Sequence, residues 1–452
     1  MKLTILFAAT AAALATARHD QTEQISLVDE HKSLAQSVVQ GWWDALPNPS
    51  TLFSSVEKRV TETIQRTINN AVDLDDIGND EDDDDHPHHP PHRRPPGRGH
   101  RHHGDKTKTI YEQIKESKYT TKFAKLVEEH DEIKALLDDT EANHTLFVPT
   151  DKAFDRIPHH PKDPPPKEFI LALLKYHALA GLWPIPRILH SYTLPTELSL
   201  ETLGDNPQRL RVNLGLLFNI RLNLYSKVVA GNIEAKNGVI HAVDGILVPP
   251  PTQAKIISLL PGTFSTFSLG LEKTGLGEEL DKEEKKSGGT LFAPSNKAFQ
   301  RLGPRANAFL FSERGKKYLK ALLKYHVVLG QTLYSDAFYK SKEEEGESNG
   351  GGQGYWHVDL PSLLDDKAIA VDVKRWKGFV TITLNGFTRV VFKDGLASDG
   401  SVQIIDNVLI PPHKHHGGPP TQEEEWVGVS EEVVIERLQP YLEEGREDMH
   451  DL

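Results

Sequence analysis

Residues 145–154 read TLFVPTDKAF, and residues 290–299 read TLFAPSNKAF, with seven of the ten aligned positions identical. Each copy opens with a short apolar run that stops at a proline, Pro149 or Pro294. Because proline cannot donate a hydrogen bond to a neighbouring strand, this pattern is typical of a strand that ends there. The sequence therefore predicts the same strand twice.

The residue after each proline predicts a turn into a helix. Thr150 and Ser295 have hydroxyl side chains, which can cap a helix N-terminus. The helices that they begin carry Phe154 and Phe299, which we expect to point into the core. Each copy is thus a predicted corner between a strand and a helix.

Two further blocks repeat in the same order. LLKYH occurs at 173–177 and again at 322–326, and GVIHAVDGILVPP at 238–250 is matched by GSVQIIDNVLIPP at 400–412. Self-similar blocks that recur in a fixed order indicate an internal repeat. The chain therefore contains two copies of one domain.

The repeated blocks also predict local structure. LLKYH ends an amphipathic helix, so its Tyr and His fall on the apolar face. The third block predicts a closing strand, and the residue after its aspartate, Gly245 or Asn407, is of a type that tolerates a positive φ. We expect a tight turn or bulge there, with Asp244 and Asp406 bracing the local backbone.

A hairpin is predicted in the second copy. Asn385-Gly386 lies between two apolar runs, 380–384 and 387–392, which is a strong signal for a hairpin with a primed turn. With the helices above, these patterns predict an α+β fold that contains an antiparallel sheet in each copy.

The three repeated blocks resemble the two signature regions and the intervening Tyr-His motif of the fasciclin (FAS1) domain family. The resemblance implies two tandem domains, at 107–250 and 251–412, each an antiparallel β-wedge or sandwich wrapped by helices. It also implies extracellular adhesion, matrix or cell-wall roles without catalysis. The connection at 248–251 should be semi-rigid because it holds three consecutive prolines.

The second copy departs from the family pattern in two places. It has Gln403 where the first copy has His241, and it carries an acidic, glycine-rich insertion at 343–354. The insertion is expected to form a flexible surface loop. These differences predict that the two copies are not functionally equal.

The Tyr-His motif has two interpretations. In animal members of the family this region has been linked to receptor binding, and the resemblance carries that role to Tyr176, His177, Tyr325 and His326. The alternative, which their place on an apolar helix face favours, is that all four are hydrogen-bonded core residues.

Composition and missing motifs exclude several classes of function. The 452 residues carry a formal net charge of −13, whereas a nucleic-acid binder needs a basic surface. The sequence has no cysteine, which rules out cysteine nucleophiles and thiolate zinc sites. Catalytic spacings such as GxSxG or HExxH are also missing. We therefore expect neither an enzyme nor a cofactor.

The N-terminal residues predict the compartment. In 1–17, Lys2 precedes a short apolar run and a small-residue cleavage pattern, as in a signal peptide. No later stretch is long and apolar enough to cross a bilayer. The mature chain is then expected to be secreted, extracellular or cell-wall associated, with a vacuole or another secretory-pathway lumen as the alternative.

Three segments flank the repeated domains. Residues 18–76 predict amphipathic helices that either pack on the folded body or bind a partner. Residues 77–106 are acidic and then rich in His and Pro, which predicts a disordered linker. Its histidines suit a transition metal, but a flexible tract lacks the fixed geometry of a metal site, so none is predicted. Residues 413–452 predict a tail with one docking helix.

Asn143 is a predicted N-glycosylation site, since Asn143-His144-Thr145 matches the acceptor pattern and precedes a strand. Taken together, the sequence predicts a non-enzymatic adhesion or matrix protein whose partners are extracellular proteins or polysaccharides. The alternatives are a metal- or small-ligand-binding protein of the secretory pathway and a cell-wall glycan hydrolase.

Overall fold

The computed structural model describes the two repeated domains and short parts of their flanks. The described residues are 62–66, 104–156, 165–215, 219–282, 288–339, 354–365, 367–376, 379–412 and 429–443. The predicted signal peptide and most of the N-terminal segment, the linker and the tail lie outside them.

The first domain alternates helices with the strands of one sheet. Its helices are α1 (Ile110–Glu116), α2 (Thr121–Glu128), α3 (Asp131–Asp138), α4 (Asp151–Phe154), α5 (Lys167–His177) and α6 (Ile185–Leu189). Its strands are β1 (His144–Pro149), β2 (Ala178–Ala180), β3 (Thr193–Ser199), β4 (Pro207–Leu214), β5 (Ile220–Leu222), β6 (Ser226–Ala235) and β7 (Gly238–Val243).

In the described residues, the second domain repeats this plan with six helices and has two additional short strands. Its helices are α7 (Gln253–Leu259), α8 (Pro261–Thr274), α9 (Leu276–Lys282), α10 (Asn296–Leu302), α11 (Pro304–Leu310) and α12 (Lys316–Lys324). Its strands are β8 (Gly289–Pro294), β9 (Val327–Leu329), β10 (Thr332–Leu333), β11 (Phe338–Tyr339), β12 (Gly354–Pro361), β13 (Ala368–Trp376), β14 (Phe379–Leu384), β15 (Thr388–Ala397) and β16 (Gly400–Ile405). Two helices of the tail, α13 (Glu431–Leu438) and α14 (Pro440–Glu443), follow.

The two sheets have the same strand order. The first runs β2-β1-β7-β6-β5-β4-β3 and the second runs β9-β8-β16-β15-β14-β13-β12, while β10 and β11 form a separate pair. Neighbouring strands are antiparallel except for β1 with β7 and β8 with β16, which are parallel. The α+β class and the duplication are confirmed, and the expected antiparallel sheet contains one parallel pair in each domain.

Glycine begins the third repeated block because the parallel pair starts there. A Cβ on Gly238 would lie 1.9 Å from the carbonyl oxygen of His144. A Cβ on Gly400 would lie 2.0 Å from the carbonyl oxygen of Gly289. No side chain fits at either distance, so glycine is what allows these strands to approach each other.

The predicted corners form, with one difference between the copies. Ser295 caps α10 by accepting a hydrogen bond from the backbone N–H of Ala298 at 3.2 Å, and Phe299 is buried. Thr150 has the extended backbone of a cap residue but makes no capping bond with its side chain. Phe154 is only half-buried, and it packs against the edge of the core.

Turn residues lie only partly where the sequence predicts them. Asn385 and Gly386 have φ of 50° and 85°, and they join β14 to β15 in the predicted hairpin. The chain bends at Gly245 and Asn407, but neither has a positive φ.

The irregularities in the paired strands lie upstream of those two bends. Asn232 and Asp394, in the strands that pair with the third block, have φ of 56° and 59° and lie at β-bulges.

The core of the second domain extends into the flanking segments. Residues 62–66 are helical, and Ile64 is buried in the same cluster as Val434 and Leu438 of α13. Helix α13 of the tail therefore packs on the core of the second domain. The first domain has two clusters, one formed with α1, α2 and α3 and the other with α5.

The end of the predicted linker belongs to the first domain. Lys106 forms an ion pair with Glu234 at 2.8 Å, and the backbone N–H of Asp105 donates to the side chain of Gln113 at 3.3 Å. Asp105 and Lys106, at the end of the predicted linker, are therefore in contact with the first domain. The reason is that polar residues next to a folded domain can be held by its surface.

Candidate functional site

The Tyr-His pair of the first domain lies inside the fold. Tyr176 and His177 end α5, and both side chains are fully buried. The hydroxyl of Tyr176 accepts a hydrogen bond from the side-chain amide of Asn223 at 2.9 Å. His177 Nδ1 lies 2.8 Å from the carbonyl oxygen of Leu173, and its Nε2 accepts from the backbone N–H of Leu247 at 3.0 Å. The helix end is thereby tied to the β5–β6 turn and to the chain after β7.

The second pair repeats this arrangement. Tyr325 and His326 are also fully buried. The hydroxyl of Tyr325 accepts from the side-chain amide of Asn385 at 3.0 Å. His326 Nδ1 lies 2.8 Å from the carbonyl oxygen of Leu322, and its Nε2 accepts from the backbone N–H of Leu409 at 2.9 Å. Each motif therefore joins a helix, a hairpin turn and the closing segment of its domain.

These hydrogen bonds define the protonation of both histidines. Because Nε2 accepts from a backbone N–H, the single proton must be on Nδ1, which donates to the helix carbonyl. Burial lowers the pKa of His177 and His326 to about 4, so both imidazoles are neutral at physiological pH. Their geometry is that of core residues, as the apolar helix face indicates. The partner-binding role of the four residues stays a prediction.

His241 is a third buried histidine. Its Nε2 lies 2.9 Å from the carbonyl oxygen of Trp183, and its Nδ1 accepts from the backbone N–H of Asn232 at 3.3 Å. Burial lowers the pKa of His241 to about 4. It therefore fastens the β6 bulge to the segment before α6, and Gln403 occupies its place in the second domain.

The two aspartates of the third block brace the backbone as predicted. Asp244 Oδ1 accepts from the backbone N–H of Lys227 at 2.7 Å, and Asp406 Oδ1 accepts from that of Arg389 at 3.1 Å. Each bond holds the start of one strand to the bend that ends its neighbour.

The predicted glycosylation residue is at the surface. Asn143 is exposed and comes directly before β1, where its backbone carbonyl accepts from the N–H of Gly181 at 2.7 Å. Its side chain is therefore accessible while its backbone is held by the β1–β2 pairing.

Within the described ranges, no group of three or more His, Cys, Asp or Glu residues is arranged to hold a metal ion. The histidines between 86 and 103 lie outside these ranges. No helix in the part that the structure describes has the length and apolar character needed to cross a bilayer.

The two domains meet through a charged contact, the domain junction, formed by Tyr192, Thr193, Arg209, Asp336 and Tyr339. Asp336, before β11, reaches into the first domain. Its carboxylate accepts from the backbone N–H groups of Tyr192 and Thr193 at 2.8 and 2.7 Å and from the Thr193 hydroxyl. A side chain of the second domain thus satisfies the backbone at the start of β3.

Arg209 completes the domain junction from the side of the first domain. It is 8% exposed, its Nε donates to the Thr193 hydroxyl at 2.6 Å, and its Nη1 donates to the Tyr339 hydroxyl at 2.9 Å. The guanidinium lies 3.9 Å from the Asp336 carboxylate. A buried cation is costly unless it is paired and hydrogen-bonded. Here Asp336 and Tyr339 come from the second domain, and the Thr193 hydroxyl is itself bonded to Asp336.

A second charged group lies beside the domain junction. Asp394, at the β15 bulge, is 2% exposed and accepts from the backbone N–H of Ser335 at 2.6 Å, and burial raises its pKa. Arg211 of β4 places its guanidinium 3.8 Å from the ring centre of Phe392. Burial lowers the pKa of Arg211 to about 10. Cation and aromatic ring attract each other across the two domains.

The domain junction can fix geometry, but it has no arrangement for chemistry. Its carboxylate is held by backbone donors and an arginine, and its hydroxyls bond to neighbouring groups. These residues could not be predicted from the sequence, because single charged residues that pair only in space leave no motif. Their effect is to hold the two domains in one orientation.

Comparison with known proteins identifies the family. A family model described as Fasciclin domain matches residues 118–249 and 262–411, which together make up more than half of the chain. The chain belongs to the fasciclin domain family. A solved FAS1 domain pair from the insect cell adhesion molecule Fasciclin I covers 64% of this chain and 96% of its own, at 18% identity and a TM-score of 0.31.

Three relatives show the range of the similarity. Aurofusarin biosynthesis cluster protein S of Gibberella zeae is 30% identical over 68% of this chain and 78% of its own. Human periostin is 30% identical over 44% of this chain and 21% of its own. The Fasciclin-like arabinogalactan protein of Arthroderma benhamiae is 31% identical over 25% of each chain.

Proposed function

We propose that this chain is an extracellular, non-enzymatic adhesion or matrix protein that binds a protein or polysaccharide through its two fasciclin domains. The observation that carries the proposal is the domain junction, which joins two family domains into one unit. Two weak binding surfaces on one chain raise avidity when geometry lets both engage. A matrix or cell wall, in which the same polymer repeats, provides such a partner.

Family membership supports this proposal. Fasciclin domains occur in adhesion and matrix proteins such as periostin, stabilin-2 and fasciclin-like arabinogalactan proteins. The signal-like pattern at 1–17 and the exposed Asn143 agree with passage through the secretory pathway. Secretion is the proposed destination, and a vacuole is the alternative.

Two measurements test the proposal. A tagged copy in the native cell should appear in the medium, the wall or a secretory lumen, and a cytosolic signal would overturn it. The purified mature chain should be retained on at least one immobilised matrix protein or wall polysaccharide. If nothing in such a panel retains it, the adhesion role is wrong.

The non-enzymatic part of the proposal has its own test. A glycosidase needs two carboxylates that face each other across a substrate. The two carboxylates described above, Asp336 and Asp394, accept hydrogen bonds from backbone N–H groups instead. Incubation of the purified chain with wall glycans should release no sugar, and release above that of a heat-denatured sample would establish a hydrolase.

The Gibberella zeae relative favours a second candidate function. The chain matches most of a protein named as a member of the aurofusarin biosynthesis cluster. This chain could then serve a biosynthetic pathway as a non-catalytic accessory. Deletion of its gene would in that case change the secreted metabolites, whereas an adhesion role would alter attachment or wall properties and leave metabolites unchanged.

A further inference from the structure

Three large aromatic side chains lie exposed on one sheet of the second domain. Tyr355 is 63% exposed, Trp376 is 64% exposed and Phe379 is 74% exposed. Folding normally removes such rings from water, and exposed apolar patches rimmed by polar groups mark interaction sites. These rings therefore point to a partner.

Strand alternation places all three rings on the same face. On β13, Val371 and Val373 are buried, so Trp376, an odd number of residues further on, faces outward. On β14, the side chains of Val380 and Ile382 are buried, which turns Phe379 outward. Tyr355 is likewise on the outer side of β12.

Strand register brings the rings together. Trp376 is directly opposite Phe379 on the neighbouring strand. Tyr355 is opposite Lys374, which makes it the diagonal neighbour of Trp376, and aromatic side chains reach across such diagonals. The row crosses three strands, or about 10 Å at the usual strand spacing. Among the residues that the structure describes, the rings form an open strip rather than a pocket.

Polar side chains border the strip. His357 Nδ1 lies 2.8 Å from Asp372 Oδ1, and the Tyr355 hydroxyl donates to the same oxygen. His357 Nε2 lies 3.5 Å from Asp359. Together with Lys374, these groups put hydrogen-bond donors and acceptors beside the rings. We call Tyr355, Trp376, Phe379, His357, Asp372 and Lys374 the aromatic face.

We infer that the aromatic face binds an uncharged polysaccharide chain. Sugar rings present C–H groups on their faces and hydroxyls around their edges. A surface that binds them therefore combines aromatic rings with adjacent hydrogen-bonding groups. The aromatic face offers both on an open surface, which suits an extended polymer better than a small ligand in a pocket.

The charges of the aromatic face decide between kinds of polymer. Among the described groups of this surface, the charge of Lys374 is offset by Asp372 and by nearby Asp359, so these groups do not favour a polyanion. A protein partner would favour a continuous apolar centre, whereas here His357 and Asp372 are hydrogen-bonded beside Tyr355, and Lys374 is opposite it. The inference rests on the proposed function, since it names the partner class for one of the two domains.

The test uses the full mature chain and insoluble cellulose, chitin and β-1,3-glucan as probes. The wild type should sediment with at least one of them, and soluble oligosaccharides of that polymer should change tryptophan fluorescence. Trp376→Ala and Phe379→Ala should each weaken binding by about tenfold or more, because central aromatic residues dominate interfaces. Lys374→Ala should have a smaller effect.

Tyr119→Ala is the matched control, because Tyr119 is 63% exposed but lies in the first domain. It should bind as the wild type does, and thermal unfolding should show that every variant is folded. Unchanged binding by a Trp376→Ala, Phe379→Ala double variant would overturn the inference.

Two other outcomes also overturn it. One is retention on matrix proteins but on no polysaccharide, which leaves the adhesion role standing. The other is concentration-dependent self-association that the double variant abolishes, which would assign the aromatic face to a second copy of this chain.

Discussion

His241 and Gln403 make the same two hydrogen bonds in the two domains, although one is an imidazole and the other an amide. Gln403 Oε1 accepts from the backbone N–H of Asp394 at 3.1 Å, and its Nε2 donates to the carbonyl oxygen of Leu333 at 2.8 Å. These backbone groups are the counterparts of the two that His241 binds. The departure from the family pattern at this position therefore preserves the local architecture.

We expect His241→Gln to leave stability at pH 7 nearly unchanged and to reduce acid sensitivity. The pKa of His241 falls from 6.5 to about 4 on folding, so the unfolded chain takes up a proton first as the pH drops. The free energy of unfolding therefore falls as the pH drops from 6.5 toward 4, by about 3 kcal/mol for one such group. Glutamine does not titrate, so over this pH range the variant should lose about 3 kcal/mol less of its free energy of unfolding than the wild type does.

Urea unfolding between pH 7 and pH 4 measures the effect. His190→Gln is the control, since His190 is an exposed histidine of the same domain. If His241→Gln loses stability with acid as steeply as the wild type, the buried histidine is not responsible. His177 and His326 are expected to account for part of the remaining slope.

Asp336→Ala should uncouple the two domains. It leaves the backbone N–H groups of Tyr192 and Thr193 without their acceptor and Arg209 without its ionic partner. Unsatisfied buried donors cost about 1–3 kcal/mol each, so we expect a total loss of about 2–4 kcal/mol, reduced by partial hydration. Calorimetry should show the domains of the wild type unfolding together and those of the variant unfolding in two steps.

Glu141→Ala is the matched acidic control, because Glu141 is exposed in the first domain. It should keep the single transition of the wild type. The junction is not a coupling element if Asp336→Ala also unfolds in one step at the same temperature.

Tyr325→Phe separates the core role of the Tyr-His motif from the receptor role. Loss of the hydroxyl leaves the amide of Asn385 without an acceptor, at a cost of about 1 kcal/mol. If the motif is structural, this variant should be less stable but bind a matrix partner as the wild type does. The opposite result, unchanged stability with lost binding, would favour the receptor role, and Tyr119→Phe serves as the exposed control.

Asn143→Gln tests the glycan. The chain secreted by its native cell should lose mass on endoglycosidase treatment, and the variant should already have the lower mass. Asn48→Gln should change nothing, because the proline at position 49 prevents modification of Asn48. Identical mass of wild type and Asn143→Gln would show that the site is unused.

Much of the fold could be predicted because it is encoded locally and repeated. Strand ends at Pro149 and Pro294 and the turn at Asn385-Gly386 depend on residues within a few positions of each other. The positive φ expected at Gly245 and Asn407 instead occurs at Asn232 and Asp394. The position of the bulge depends on the paired strand and on the side chain, His241 or Gln403, that accepts a hydrogen bond from it. The sequence of one segment does not reveal this pairing.

The functional surfaces differ in how far the sequence reveals them. Arg209 and Arg211 alternate with apolar residues in β4, and their contacts with Tyr339 and Phe392 of the second domain are visible only in the structure. Trp376 and Phe379 could have been found, because both are out of phase with the buried residues of their strands. An aromatic residue on the polar side of an alternating strand is the signal to look for.

The parallel neighbours β1 and β7 have a mechanical consequence. The chain enters β1 at one end of the pair and leaves β7 at the other, so tension on the flanks of this sheet pulls the two strands lengthwise past each other. Their hydrogen bonds then bear the load together instead of parting in sequence, and β8 with β16 repeats the arrangement. Stretching one molecule in an optical trap should show the outer helices yielding first and both sheets resisting to much higher force.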